Sequence, residues 1–306
     1  DILRETLARV GKFEAPAEIR TVTGPAYEYR NRVQLHVDKR KIGYHKLGSN
    51  QLLEIDQCPI SSPKIQDTIR ILRQMARERR WPNFLKSIEI FTNETEVQVN
   101  VLESTLPVAQ RFFDWCAEAI PGYAPGVLHY KTAGHSFRVS HDAFFQVNRF
   151  LVDDLTNLVL EGAEGESAID LYSGVGLFTV PLGKRFAKVT AVETGSAAVR
   201  DARYNAELAG VRVDALQMQS EAYLAGDEAK ADFVVADPPR AGLGKQVVEA
   251  LCKAAPQRLH IVSCDPATLA RDLVRLLQDY ELESLTMVDL FPQTFHLETV
   301  AKLRHK

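Results

Sequence analysis

The chain has 306 residues, 45% of them hydrophobic, and a formal net charge of −3. That length holds two ordinary domains, no apolar run approaches the ~18 residues of a membrane span, and the charge excludes a globally basic nucleic-acid binder. The four cysteines (Cys58, Cys116, Cys252, Cys264) lack framework spacing, which excludes a disulfide scaffold and points to a reducing, cytoplasmic setting.

Residues 1–10 read as a short helix, and 1–22 as an N-terminal helical segment. No basic-then-apolar leader precedes it, and Asp1 in place of a start methionine reads as the trimmed edge of a longer protein. Val33-Gln34-Leu35-His36-Val37 alternates and turns back at Asp38–Lys41 toward Ile42-Gly43-Tyr44, a hairpin pattern. Ile65, Ile69, Leu72 and Met75 predict a helix over 64–80. A second hairpin is expected from 87–91 and 97–101, then a helix at 107–119 and strands near 127–131 and 135–139. Hairpins with a few helices make 23–140 an α+β domain. Residues 1–150 carry a balance of +4 against −7 for the remainder. The excess gathers near Arg30, Arg32 and Lys39–Lys41, and again at Arg70, Arg73, Arg77, Arg79 and Arg80. Such runs are usually solvated faces; the alternative is a phosphate-binding surface.

From residue 168 the rhythm changes. Strands are expected at 168–172, 188–193, 211–217, 232–236, 258–263, 282–290 and 298–304, the first five joined by helical segments. Residues 141–306 therefore read as an α/β domain with a Rossmann-like parallel sheet. The last two strands leave no room for a helix and form a hairpin with one antiparallel strand, its turn carrying Phe291-Pro292-Gln293-Thr294.

Asp170-Leu171-Tyr172-Ser173-Gly174-Val175-Gly176 follows the first of these strands. Gly174 and Gly176 let a ligand approach the backbone, but Thr179 stands where a dinucleotide fingerprint needs its third glycine. Glu193 ends the second strand, where a carboxylate accepts from ribose hydroxyls, and Asp237 ends the fourth. An adenosine without phosphates suits this set, and S-adenosylmethionine meets that description. The plain alternative is that the glycines only make a turn. Ile261-Val262-Ser263-Cys264-Asp265-Pro266 delivers a thiol to the sheet rim at a helix start. A thiolate there adds to an electron-poor double bond, with Glu298 as a candidate general base. Taken alone, Glu298 also reads as a surface carboxylate on an edge strand, and His296 as a structural hydrogen-bonder. Asp237-Pro238-Pro239 resembles the turn that nucleic-acid amino-methyltransferases place beside the methyl donor. Cytosine carbon-5 methyltransferases carry their Cys directly after such a Pro; Arg240 stands there instead, which leaves Cys264 as the candidate nucleophile. Cys116 and Cys252 read as core.

Together these runs, with Tyr29-Arg30-Asn31-Arg32-Val33-Gln34-Leu35-His36-Val37, Phe144-Phe145-Gln146-Val147-Asn148 and Phe295-His296-Leu297-Glu298, resemble the RNA uracil carbon-5 methyltransferases of ribosomal and transfer RNA. The resemblance implies a Rossmann-like S-adenosylmethionine-dependent methyltransferase domain behind an N-terminal α+β domain. It implies Cys264 as the nucleophile toward uracil carbon 6 and Glu298 as the base that takes the carbon-5 proton. Gln146, Tyr172, Ser173, Gly174, Gly176, Glu193 and Asp237 fall on cofactor contacts. Phe144 falls where an aromatic lies against a flipped base; as a residue type it reads equally as core. Arg30, Arg32, Arg240, Gln293 and His296 complete the expected RNA contacts. Ribosomal RNA is the favoured substrate, with transfer RNA as the alternative. The competing readings are a catalytically silent RNA-binding protein and a small-molecule methyltransferase. Three departures stand out. Asp265 replaces the usual Asn after the Cys, and Leu177 replaces an Asn near the cofactor. Many members also have an N-terminal RNA-binding barrel, and some an iron–sulfur cluster, and neither is in this sequence. Cys58 matches that cluster's last ligand; one Cys cannot hold a cluster, so either its partners are expected upstream of Asp1, the favoured reading, or Cys58 is a remnant of such a site.

Overall fold

The computed structural model describes residues 2–226 and 229–306. In chain order its first elements are α1 (Ile2–Thr6), a π turn (Leu7–Gly11), β1 (Arg20–Val22), β2 (Arg32–Asp38), β3 (Lys41–His45), β4 (Leu52–Glu54), α2 (Pro63–Arg77), β5 (Leu85–Thr92), β6 (Val97–Ser104), α3 (Gln110–Ala119), β7 (Val127–Thr132) and β8 (His135–Ser140). The second half runs α4 (Val152–Leu160), β9 (Ser167–Leu171), α5 (Thr179–Leu182), β10 (Lys188–Glu193), α6 (Ser196–Leu208), β11 (Asp214–Gln217), α7 (Ser220–Leu224), β12 (Phe233–Ala236), α8 (Gly244–Ala254), β13 (Arg258–Ser263), α9 (Pro266–Leu276), β14 (Tyr280–Val288) and β15 (Glu298–His305).

The second half forms the expected α/β sheet, in the order β1-β14-β15-β13-β12-β9-β10-β11. Among the described residues, only β15 runs antiparallel to its neighbours. β12 reads Phe-Val-Val-Ala and is buried at every position, as a strand covered on both faces requires. The strand expected over 211–217 shortens to β11.

The antiparallel sheet β4-β3-β2-β5-β6 builds the α+β unit. Val33, Leu35 and Val37 of β2 and Ile88 and Ile90 of β5 face the core. Ile65, Ile69 and Leu72 of α2 cover them, with Phe112 and Trp115 of α3 in the same cluster. Pro63 opens α2 at its first turn, where the missing N–H costs nothing.

Two boundaries differ from the expectation. Residues 2–22 do not stand apart: β1 extends the large sheet beside β14, and Leu3 and Leu7 are buried among Leu269, Ala270 and Leu273 of α9. The expected 1–10 helix ends after Thr6, in a turn closed by Lys12 at φ 55°. The β7–β8 hairpin, expected in the α+β unit, packs with the second half. Its Leu128, Tyr130, Phe137 and Val139 share a core with Phe145, Val175 and Val180.

A short segment stitches the two sheets together. Asn31, fully buried, donates through Nδ2 to the Tyr130 hydroxyl and to the Gln146 carbonyl, both at 3.1 Å. Its N–H reaches Val147 O at 2.9 Å, and its carbonyl accepts from Thr92 N at 2.9 Å. The buried Tyr29 donates its hydroxyl to Pro292 O at 3.0 Å, and Asn148 Nδ2 donates to Leu290 O at 3.0 Å. The β14–β15 loop and the segment carrying Gln146 are thus held from the same side. Asn31→Ala leaves two buried acceptors without their donor and should lower unfolding free energy by about 1–3 kcal/mol in urea titrations. Arg30→Ala, at a half-exposed neighbour, should change it by about 0.5 kcal/mol or less.

Candidate active site

The chain leaves β9 toward β10 on one side and returns to β12 on the other, and this reversal opens a crevice at the carboxyl ends of the strands. The loop after β9 turns through left-handed conformations at Tyr172, Gly174 and Gly176 (φ 61°, 53° and 91°). A Cβ added at Gly174 would meet nothing within 4 Å, so this glycine borders open space. Glu193, ending β10, fixes the loop: its carboxylate accepts from Gly174 N at 3.0 Å and Gly195 N at 2.7 Å. A carboxylate has about four lone-pair sites, which leaves capacity for a hydroxyl-bearing ligand.

Sequence reasoning gives Asp170 no role, and the structure does. It is fully buried in β9 and accepts from Thr179 Oγ1 at 2.5 Å. Burial pushes its pKa up to about 7, aided by the charges of Asp237 and Glu193 and opposed by the Thr179 bond. Its Oδ1 and the Ser173 Oγ are buried without hydrogen-bond partners. The available signal is an acid inside an apolar parallel strand directly ahead of a glycine loop. Orphaned oxygens and crowded carboxylates suit a ligand that brings N–H donors and positive charge. S-adenosylmethionine, with its ammonium, sulfonium and ribose hydroxyls, fits this chemistry. Leu177, by contrast, is buried in the core.

The sheet register assembles a second group. Ser263 pairs with Thr299, so the next antiparallel step sets Cys264 opposite Glu298, and Val288 of β14 pairs with Glu298 from the other side. Glu298 is 4% exposed on an interior strand, which corrects the edge-strand reading. Burial and the nearby Asp237 charge raise its pKa well above the ordinary carboxyl range. Asp237 accepts from Gln146 Nε2 at 3.2 Å, yet burial pushes its pKa up to about 7. Cys264 is half-buried. Burial, Glu298 and Asp237 push its thiol up to about 11, against the opposing charge of Arg240. Cys264, Glu298 and Asp237 thus sit within electrostatic range of one another, with Arg240 in range of the thiol. Asp265 caps α9, accepting from Ala267 N at 2.8 Å and Thr268 N at 2.9 Å, a role open to Asn and Asp alike.

The rim is aromatic and cationic. Arg240 Nη2 donates to His296 Nε2 at 2.9 Å. Burial, Arg240 and Arg30 all lower the His296 pKa, so the ring is neutral at neutral pH. Phe144 is 60% exposed, which settles against its core reading, while Phe145 beside it is buried. Gln293 is exposed in the β14–β15 loop at φ 65°.

Other expected sites move elsewhere. Arg32 is not on an RNA-facing surface: it is 8% exposed, donates to Ala143 O at 2.8 Å and lies 4.1 Å from the Phe91 ring centre. Arg30, two residues earlier and outside β2, stays half-exposed. The basic run on α2 is largely spent within the protein. Arg70 pairs with Asp67, Arg73 with Glu54 and Asp56, and Arg80 with Glu78 while covering the Trp115 ring. Cys58 is buried and takes a hydrogen bond from the Tyr44 hydroxyl at 3.4 Å. Among the described residues no three His, Cys, Asp or Glu side chains form a metal-binding group, so the thiolates of an iron–sulfur cluster are not assembled around Cys58. Cys116 is buried in the core, as expected, and Cys252 is half-buried.

Asp170 and Asp237 carry folded-state pKa values near 7 against an ordinary 3.8. Between those values the folded protein holds protons that the unfolded chain has released. Their stabilising contribution is full below about pH 4, is lost as pH rises toward 7, and changes no further above that. His260, buried with its pKa lowered from 6.5 to about 4, acts in the opposite sense over a similar range. The effect of one carboxyl is therefore read against a variant that lacks it. Without ligand, wild type should lose stability relative to Asp237→Asn between pH 5 and 7, by on the order of 1 kcal/mol per pH unit, and the difference should level off above pH 8. Urea titrations of the two proteins across that range check this.

A family model described as tRNA (uracil-5-)-methyltransferase matches residues 123–306. An uncharacterized RNA methyltransferase of Aquifex aeolicus strain VF5 is 30% identical over 100% of this chain and 78% of its own length. The tRNA (uracil(54)-C(5))-methyltransferase of Pyrococcus abyssi strain GE5 / Orsay is 29% identical over 98% of this chain and 79% of its own. A crystal structure of the Pyrococcus abyssi tRNA (uracil-54, C5)-methyltransferase in complex with S-adenosyl-L-homocysteine superposes with a TM-score of 0.78 at 27% identity, covering 98% of this chain and 81% of that one. With the glycine loop, the Glu193 carboxylate and the Cys264 thiol at the carboxyl ends of one sheet, and a family match across more than half its length, the chain belongs to the tRNA (uracil-5-)-methyltransferase family.

Proposed function

We propose that this enzyme methylates carbon 5 of an RNA uridine through a transient thioether between Cys264 and carbon 6 of the base. The observation that carries this reading is the register that sets Cys264 opposite Glu298 at the rim of the crevice. S-adenosylmethionine, with Asp170, Ser173, Gly174 and Glu193 to hold it, supplies an electrophilic methyl group and a positive charge that offsets the crowded carboxylates.

Covalent addition is the chemical reason for a thiol here, because carbon 5 of uracil is a poor nucleophile on its own. The Cys264 sulfur, its proton passing to solvent, bonds to carbon 6 while the ring's double-bond electrons move onto the carbon-4 carbonyl as an enolate. Carbon 5 of that enolate would take the methyl group as the methyl–sulfonium bond breaks, its electron pair staying on sulfur so that S-adenosylhomocysteine would leave. Glu298, in its ionised form, then accepts the carbon-5 proton; the double bond re-forms and the carbon–sulfur bond breaks, returning Cys264. Gln146, anchored through Asn31, steadies Asp237 beside these groups. A thiol and a carboxylate in register, near the unpartnered buried oxygens of Asp170 and Ser173, weigh against a silent RNA-binding protein. The α+β unit stitched to the catalytic loops favours a macromolecular substrate over a small molecule.

The choice of RNA rests on similarity. The relative of known substrate named above is a transfer-RNA enzyme acting at uracil 54, whereas the sequence motifs alone favour ribosomal RNA. Transfer RNA is therefore the first substrate to assay. With unmodified transcripts of both classes, methyl incorporation from labelled donor should appear in transfer RNA at a single uridine mapped by mass spectrometry. Incorporation confined to ribosomal RNA would reverse that preference.

Cys264→Ala should abolish methyl incorporation while changing S-adenosylhomocysteine affinity about twofold or less by calorimetry. Turnover in that variant removes the thiol from the mechanism. Glu298→Gln should form the adduct and fail to release it, leaving an RNA-shifted band under denaturing electrophoresis. Its absence, with methylation retained, removes Glu298 as the base.

A further inference from the structure

Of the fourteen phenylalanines, Phe295 is the most exposed, at 81%. A single exposed apolar side chain is ordinary in itself; its address is what carries meaning here. Phe295 lies three residues ahead of Glu298, in the loop between β14 and β15. That loop is firmly held: Thr294 donates to Phe291 O through its N–H at 3.1 Å and its hydroxyl at 2.7 Å, and Tyr29 donates to Pro292 O at 3.0 Å. The Phe295 ring leans on His296 with centroids 4.2 Å apart, and His296 accepts from Arg240 at 2.9 Å. Arg30 acts on the same His296 ring. The ring is thus a preset aromatic platform with two guanidinium groups nearby. Phe144 is a second exposed phenylalanine, two residues from Gln146, whose Nε2 donates to Asp237.

Chemistry on a uracil needs the nucleotide drawn out of its stack, which leaves its neighbours without a stacking partner. Aromatic side chains recover such stacking whatever the base identity, and cationic side chains take the phosphates between bases. We infer that Phe295 stacks on a nucleobase next to the uridine being methylated, with Arg240 and Arg30 receiving the adjoining phosphate. This rests on the RNA-methylation reading of the same site, and it adds a residue that recognises the strand beyond the target base.

The test is equilibrium binding, which needs no turnover. The probe is fluorescein-labelled single-stranded oligouridylate of about twelve nucleotides, near the upper end of single-strand site sizes, followed by anisotropy. Phe295→Ala should weaken binding about 5- to 100-fold, the weight of one base–aromatic stack. Phe295→Tyr and Phe295→Trp should stay within about threefold of wild type on the same ground. Phe295→Trp adds a direct readout: its emission should be quenched by unlabelled oligouridylate. Trp81 and Trp115 are 3% and 5% exposed and give a constant background. S-adenosylhomocysteine affinity should be equal in all variants, which excludes misfolding. Binding by Phe295→Ala within about twofold of wild type, well under the weight of one stack, overturns the inference. So does unquenched emission from Phe295→Trp, or no wild-type binding to oligouridylate. A wild-type dimer that dissociates in Phe295→Ala also overturns it, and would assign the ring to a second copy of the chain. If Cys264→Ala retained turnover, the methylation mechanism would fail while these binding results stood.

Discussion

The site depends on one antiparallel strand threaded between two that run the other way. β15 lies between β13 and β14, and its register delivers Glu298 to the sheet rim opposite Cys264. Side chains alternate faces along a strand, so a one-residue slip would turn Glu298 to the opposite face of the sheet. The slip is opposed by the apolar side chains of β15 itself. Val300, Ala301 and Leu303 are buried with no exposure, packed into the clusters on both faces of the sheet. The register that places Glu298 is therefore a by-product of core packing, and its position inherits the rigidity of the core.

Electrostatics gives that geometry its direction. Asp170, Glu193, Asp237 and Glu298 converge on one crevice, and three of them are pushed toward their neutral forms by burial, Asp170 also by Asp237 and Glu193, and Glu298 also by Asp237. Like charges in a poorly solvated space raise each other's pKa, and an arriving cation reverses the effect. The same field suppresses ionisation of the Cys264 thiol, with Arg240 opposing it. The Cys264 thiol is held protonated and the Asp237 and Glu298 carboxyls are pushed toward their neutral forms, a balance that an arriving cation would reverse. Because those carboxyls resist ionisation, the protein gives up some stability on approaching neutral pH in return for a site that responds to charge.

The α+β unit contributes less as a basic surface than as a scaffold. Most of the α2 arginine run is consumed by intramolecular pairs, and Arg32 is buried over Phe91. What the unit supplies is the Tyr29–Arg32 segment, whose hydrogen bonds hold the Gln146 segment and the β14–β15 loop together. Through these contacts the second sheet sets the position of residues it does not itself carry.

The sequence by itself determined the order of elements, the change from hairpins to strand–helix alternation, the glycine loop and the three polar runs that end at the sheet rim. Those are local properties: periodicity, turn chemistry and strand-end position follow from a few neighbouring residues. Tertiary structure alone decided which polar groups are buried and which of them meet. Asp170, Glu298 and Arg32 became interior groups only because segments distant in sequence close over them. Residues 2–22 and the β7–β8 hairpin joined the second half because their apolar faces, Leu3 and Leu7 in one and Phe137 and Val139 in the other, found complementary surfaces there. A strand's own pattern says that it has an inner face, but the partner covering that face is chosen by packing across the whole chain.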